Sequence, residues 1–254
     1  MENAEQNNPA GRLYTLVSRV IEESRTRGDI AASHLWAAVF EIPAKQGVAL
    51  SGEGLYEVIS RLLQLHRLID EAEESLRNIE GLHERYFRPF PRIRALPEQS
   101  FVSLASNIKG TLREITEGDM TVLEFCSERL GQQHEELIID EAELKQILEN
   151  VTSLFNEVQQ ADLDPDLKTF ILDGLESIRR GIYEFRIRGP KRLKETVGEI
   201  VGSLYVNYKT VQAAGEDESL EKFNKLFNRL SAMVTFASTG MKLLTAFATP
   251  LLPG

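Results

Sequence analysis

The chain has 254 residues, a single cysteine (Cys126) and a formal net charge of −10. One cysteine excludes a disulfide framework and a four-cysteine zinc module. An apolar content of 42% with 27% charged residues excludes a disordered chain and predicts a core that needs no staple. The first eleven residues, MENAEQNNPAG, lack a basic start followed by an apolar run, so they do not read as a signal peptide and a cytoplasmic protein is expected.

Strand signals are almost absent, whereas helix signals recur along the whole chain. Leu13, Leu16, Val17, Val20 and Ile21 form a stripe on a first helix that Gly28 ends. Asp29 is positioned to cap a second helix, which Ile42-Pro43 stops. A third, long helix is expected from Ser51 to about Phe87, with the stripe Leu55, Val58, Ile59, Leu62, Leu65, Ile69, Ala72, Leu76 and Ile79. Three prolines in RPFPRIRALP then predict a break.

Helices resume near 99–115 and 120–130. Asp140 and Glu143 read as a capping box. Asp164-Pro165 is a second strong start, because proline at the first helical position has no amide hydrogen to leave unpaired. Gly189-Pro190 and Gly215 punctuate the remainder. The expected fold is an all-α bundle of about eight mostly antiparallel helices. The expected organisation is an N-terminal half 1–87, a Pro/Arg-rich connection 88–98 and a C-terminal half 99–254. One continuous domain with an arginine-rich loop at 88–98 is the alternative.

Phosphate-binding glycine loops, HExxH and Gly-x-Ser-x-Gly are all missing. His134-Glu135-Glu136 is followed by Ile138, not by a second ligand. Neither a metal nor a cofactor is expected. Each histidine does have an arginine five to seven positions upstream: Arg27/His34, Arg61/His66, Arg77/His83 and Arg129/His134. This spacing resembles the Arg-x(4–6)-His signature of HEPN-type ribonucleases, which are small all-α proteins. The resemblance implies a catalytic pair that acts on the RNA backbone. Arg77 and His83 match it best, because Asn78 follows the arginine. The alternative for the histidines is an ordinary half-buried helix face.

Two basic clusters interrupt the acidic background. Arg85, Arg88, Arg92 and Arg94 alternate with Tyr86, Phe87 and Phe90. Residues 179–194 carry Arg186, Arg188, Lys191 and Arg192 among seven basic groups and one acid. Such mixtures suit RNA, an anionic membrane surface or an acidic protein partner. They also suit internal pairing with the acidic stretch 114–143.

The C-terminal helix carries Phe223, Phe227, Leu230, Val234, Met241 and Leu244 on one face. That stripe reads as core, as an interface to a protein partner or second copy, or as a membrane-active face using Phe236, Leu243 and Phe247. The last reading adds peripheral membrane attachment to the cytoplasmic expectation. Serines, threonines and Lys242 dilute the segment below what a permanent span needs. Cys126 reads as a small core residue. Residues 162–189, DLDPDLKTFILDGLESIRRGIYEFRIRG, resemble a stretch of helical bacterial proteins to which no activity attaches. The expected function is therefore non-enzymatic. It is that of a bacterial intracellular interaction protein, a component of a defence or toxicity system, with a ribonuclease or membrane-active effector as alternatives.

Overall fold

The computed structural model describes residues 8–45, 48–132 and 139–235. Among these residues there are eleven α-helices, one 3-10 helix and no strand, so the chain is all-α with more helices than the eight expected. The extra elements arise where long predicted helices divide. The chain forms two compact units, Met1–Ile138 with Arg186–Gly189, and Ile139–Phe185 with Pro190–Gly254. The Pro/Arg-rich segment 88–98 lies inside the first unit. No described helix is long and apolar enough to cross a membrane.

Unit 1 begins with α1, Pro9–Arg27, whose cap Asn8 accepts the Gly11 amide and donates through its amide nitrogen to the Ser127 carbonyl. α2, Ala32–Val39, gains no side-chain cap from Asp29. Its first amides instead donate to the carbonyls of Ser106 and Leu104, at 2.8 and 2.9 Å. Helix ends need acceptors for their free amides, and a distant loop supplies them here.

α3, Gly52–Arg77, stops ten residues before the predicted end at Phe87. Gly81 has φ +72°, a left-handed conformation that glycine adopts without a Cβ clash. A 3-10 helix, Glu84–Phe87, follows. The predicted break is itself helical: α4 spans Phe90–Val102. Pro89 and Pro91 fall at its start, where amide hydrogens have no intrahelical partner. Pro97 is the only proline in its interior.

α5, Lys109–Glu114, and α6, Glu117–Gly131, complete the unit. The Thr116 hydroxyl accepts the Asp119 amide, and the Asp119 carboxylate accepts the Thr116 amide. Sequence reading placed a capping box at Asp140/Glu143 and missed this one.

Trp36, the only tryptophan, lies in the unit 1 core and stacks on Phe40 at 5.3 Å. Its indole donates to Ser100 Oγ at 2.7 Å, and Ser100 donates to the Leu96 carbonyl. The one polar atom of the ring is thereby satisfied. Cys126 is fully buried, and burial pushes its thiol up to about 12, so it stays protonated as a core residue.

Unit 2 contains α7, Glu141–Gln160; α8, Pro165–Arg188, up to Phe185; α9, Pro190–Val206; α10, Tyr208–Ala214; and α11, Glu218–Thr235. Asp140 caps α7 through the Ala142 amide, but Glu143 does not close the expected box. It pairs with Arg229 on α11 at 2.9 Å instead. Asp164 caps α8 as expected, accepting the amides of Asp166 and Leu167. The single helix predicted over 190–214 is divided at Asn207. There the side-chain amide donates to the Ser203 carbonyl, the same acceptor that the Asn207 backbone amide uses.

α8 is sewn to its neighbours at two glycines. A Cβ built on Gly174 would lie 2.5 Å from Phe223 Cζ, and one on Gly181 would lie 2.3 Å from Thr196 Oγ1. Only the absence of a side chain lets α11 and α9 come this close.

Candidate functional site

Arg77 and His83 are not held together. The Arg77 guanidinium pairs with Glu73 one turn back at 2.6 Å and lies 4.6 Å from the centre of the Phe87 ring. His83 precedes the 3-10 helix, and its Nδ1 accepts the Arg85 amide at 3.1 Å. Among the described residues no hydrogen bond or ion pair links the two side chains. His134 lies outside the described residues. No cluster of three His, Cys, Asp or Glu side chains is placed to hold a metal ion among the described residues.

The first basic-aromatic cluster is largely internal. Phe90 is buried in the unit 1 core. Arg92 holds the Asp119 carboxylate with both oxygens within 2.8 Å. Arg94 bonds Asp70 and Glu73 on α3. Only Arg85, over the Tyr86 ring, and Arg88 face solvent.

Burial alone would raise the Asp119 pKa, but the Thr116 amide and hydroxyl and the Arg92 guanidinium hold it below its ordinary value. A carboxylate with a depressed folded pKa stabilises above its unfolded value, near 4, and that stability is lost as pH falls through the folded value. Asp119→Asn is expected to cost about 2 kcal/mol at pH 7, in the range for hydrogen bonds to a charged group. The gap between the two proteins should narrow as pH falls below the unfolded value and wild-type Asp119 takes up a proton. Urea unfolding at a series of pH values checks both statements. A pH-independent gap would show that the charge of Asp119 does not matter.

The second basic cluster divides between the units. Arg186 and Arg188 belong to unit 1, and Lys191 and Arg192 to unit 2. Arg186 pairs with Glu41 at 2.6 Å, and Arg19 holds the same carboxylate at 2.8 Å. Burial would raise the Glu41 pKa, but these two guanidiniums lower it. Arg192 is buried and bonds Glu184 at 2.6 Å and Glu199 at 2.9 Å. Lys191 is exposed, and Arg188 is half-buried.

Phe223, Phe227, Leu230 and Val234 form the inner face of α11 and are all buried. Phe223 meets Phe170 edge-on at 5.6 Å. The described part of the C-terminal stripe is thus core of unit 2. Met241, Leu244, Phe236, Leu243 and Phe247 lie outside the described residues.

Sequence reading passed over a different surface. α9 buries Pro190, Arg192, Leu193, Thr196 and Ile200, and nothing beyond Ile200. α10 buries no residue. Val201, Tyr205, Val206 and Tyr208 remain 37, 83, 81 and 58% exposed, a run of large apolar side chains on consecutive turns. Gly198 and Gly202, one turn apart, are exposed, and a Cβ added at either would meet nothing within 4 Å. The sequence VGSLYVNYKTV is apolar enough to read as core, so only the packing reveals the face as uncovered. No protein-family model, no curated protein and no solved structure matches this chain.

Proposed function

We propose that this is a non-enzymatic helical interaction protein that associates with a second copy of itself through α9 and α10. The exposed Val201–Tyr208 face is the observation that carries the reading. Other helices also expose single large apolar residues, such as Tyr56, Leu63 and Phe125, but the end of α9 and the start of α10 expose four within eight residues, and such a patch marks an interaction site. Tyrosine is favoured at such sites because it covers much area with little rotamer freedom.

A second copy is the occupant because the face carries its own complement. In a two-fold contact the same patch meets itself. The open surface at Gly198 and Gly202 admits the close approach of an identical helix, and Tyr205 and Tyr208 nearby in the chain are both exposed. The proposed setting is the bacterial cytoplasm, on the resemblance of residues 162–189.

Sedimentation velocity tests the proposal. The wild-type chain is expected to associate within the low micromolar range, and Val201→Glu/Tyr205→Glu to weaken association at least about tenfold, since charge on a contact face must be desolvated. Both positions are solvent-exposed, so the variant keeps the wild-type far-UV circular dichroism. A wild type that stays monomeric to about 100 μM, or a variant that associates equally well, rejects the proposal.

A further inference from the structure

Unit 1 contains a groove of about 620 Å³ between α1 and the α5–α6 turn. That volume lies within the range of small-ligand sites. Tyr14 and Ile21 on one side and Leu112 and Met120 on the other supply an apolar floor. Arg25 and Arg113, both exposed, also line it.

These two arginines differ from most in the unit. Arg19, Arg27, Arg77, Arg92, Arg94 and Arg186 all hold acids. Arg25 and Arg113 form no ion pair or hydrogen bond among the described residues, in a chain with ten more acids than bases. Lys109 also lines the groove and, among the described residues, pairs with the exposed Asp29 at 3.8 Å. Glu117 is the sole carboxylate in the lining, so three cations less one anion leaves a surplus of two positive charges.

We infer that this groove binds a phosphate monoester carrying a flat apolar body. The doubly charged phosphate matches the surplus. The guanidinium forks of Arg25 and Arg113 match its oxygens, and the apolar body covers the Ile21, Leu112 and Met120 floor. A simple carboxylate would neutralise only half of the surplus. This site is independent of the α9–α10 face, which belongs to the other unit.

Isothermal titration calorimetry with phenyl phosphate on the full chain tests the inference, with inorganic phosphate and benzoate as comparisons. Phenyl phosphate is expected to bind saturably with a millimolar or tighter Kd, at least about tenfold better than inorganic phosphate or benzoate. Arg25→Glu/Arg113→Glu should lose at least about tenfold in affinity, while Arg25→Lys/Arg113→Lys keeps most of it, because a lysine retains the charge without the fork. Both arginines are exposed and unpaired, so circular dichroism should confirm unaltered folding in each variant. No saturable binding of phenyl phosphate up to about 10 mM overturns the site. Equal binding of inorganic phosphate removes the apolar half, and equal binding of benzoate removes the phosphate assignment. Unchanged affinity in Arg25→Glu/Arg113→Glu places the ligand elsewhere.

Discussion

Replacing Phe223 with alanine is expected to destabilise unit 2 by about 3–5 kcal/mol, the range for deleting a fully buried aromatic ring. Three observations set this expectation. The ring has no exposed surface. It meets Phe170 edge-on at 5.6 Å, and such pairs contribute beyond their buried area. It also rests on Gly174 so closely that a Cβ there would lie 2.5 Å from the ring. The deletion therefore empties a site that a glycine was needed to make. Gly174→Ala attacks the same contact from the other side and is expected to cost about 1–3 kcal/mol through overpacking.

Urea unfolding followed by far-UV circular dichroism measures both losses. Trp36 fluorescence follows unit 1 alone, because the only tryptophan lies there. A loss below about 1 kcal/mol for Phe223→Ala would show that α11 is not held by this ring.

The second large effect concerns the buried charge pair between Arg192 and Glu184. Burial would lower the Arg192 pKa, but Glu184 and then Glu199 raise it, so the guanidinium is firmly charged. Arg192→Met removes the cation and leaves the buried Glu184 without its attraction. Breaking such a pair from one side costs about 3–5 kcal/mol. Replacing both partners by apolar residues of similar volume is often nearly neutral, so Arg192→Met/Glu184→Leu should recover most of the loss. A double-mutant cycle gives the coupling directly, and about 2 kcal/mol or more is expected. A coupling below about 0.5 kcal/mol would mean that the close approach of α8 and α9 rests on apolar packing alone.

These two sites show what can be read from a linear chain. The α11 stripe was visible at helical spacing as Phe223, Phe227, Leu230 and Val234, yet core and interface have the same periodicity. Its burial became plain only through Gly174 and Phe170, about fifty residues upstream. Arg192 was one member of a basic run, with nothing in the sequence to mark it off from exposed Lys191. The α8–α9 turn places Glu184 beside it. Capping shows the same division. Asp164 caps within its own turn and was legible. The amides of α2 find acceptors more than seventy residues away and were not. The prolines of 88–97 misled for a related reason, since proline stops a helix at its interior but not at its first turn.

The candidate surfaces were the least legible part. VGSLYVNYKTV carries the composition of core, and only the three-dimensional packing leaves Tyr205 and Val206 uncovered. Arg25 and Arg113 are ordinary surface arginines by sequence, and only folding sets them at one groove whose cations outnumber its acid.

The amino-acid sequence by itself determined the all-α class, most helix starts and the stripes that become core. These depend on spacing within a few residues, where backbone geometry is the same in any fold. The single cysteine likewise excluded a disulfide framework from the first count. The net charge of −10 described only an average. Which arginines are neutralised, which glycines admit a neighbouring helix and which apolar face stays open were decided by tertiary structure alone. Each depends on contacts between residues far apart in the chain, and local periodicity carries no record of them.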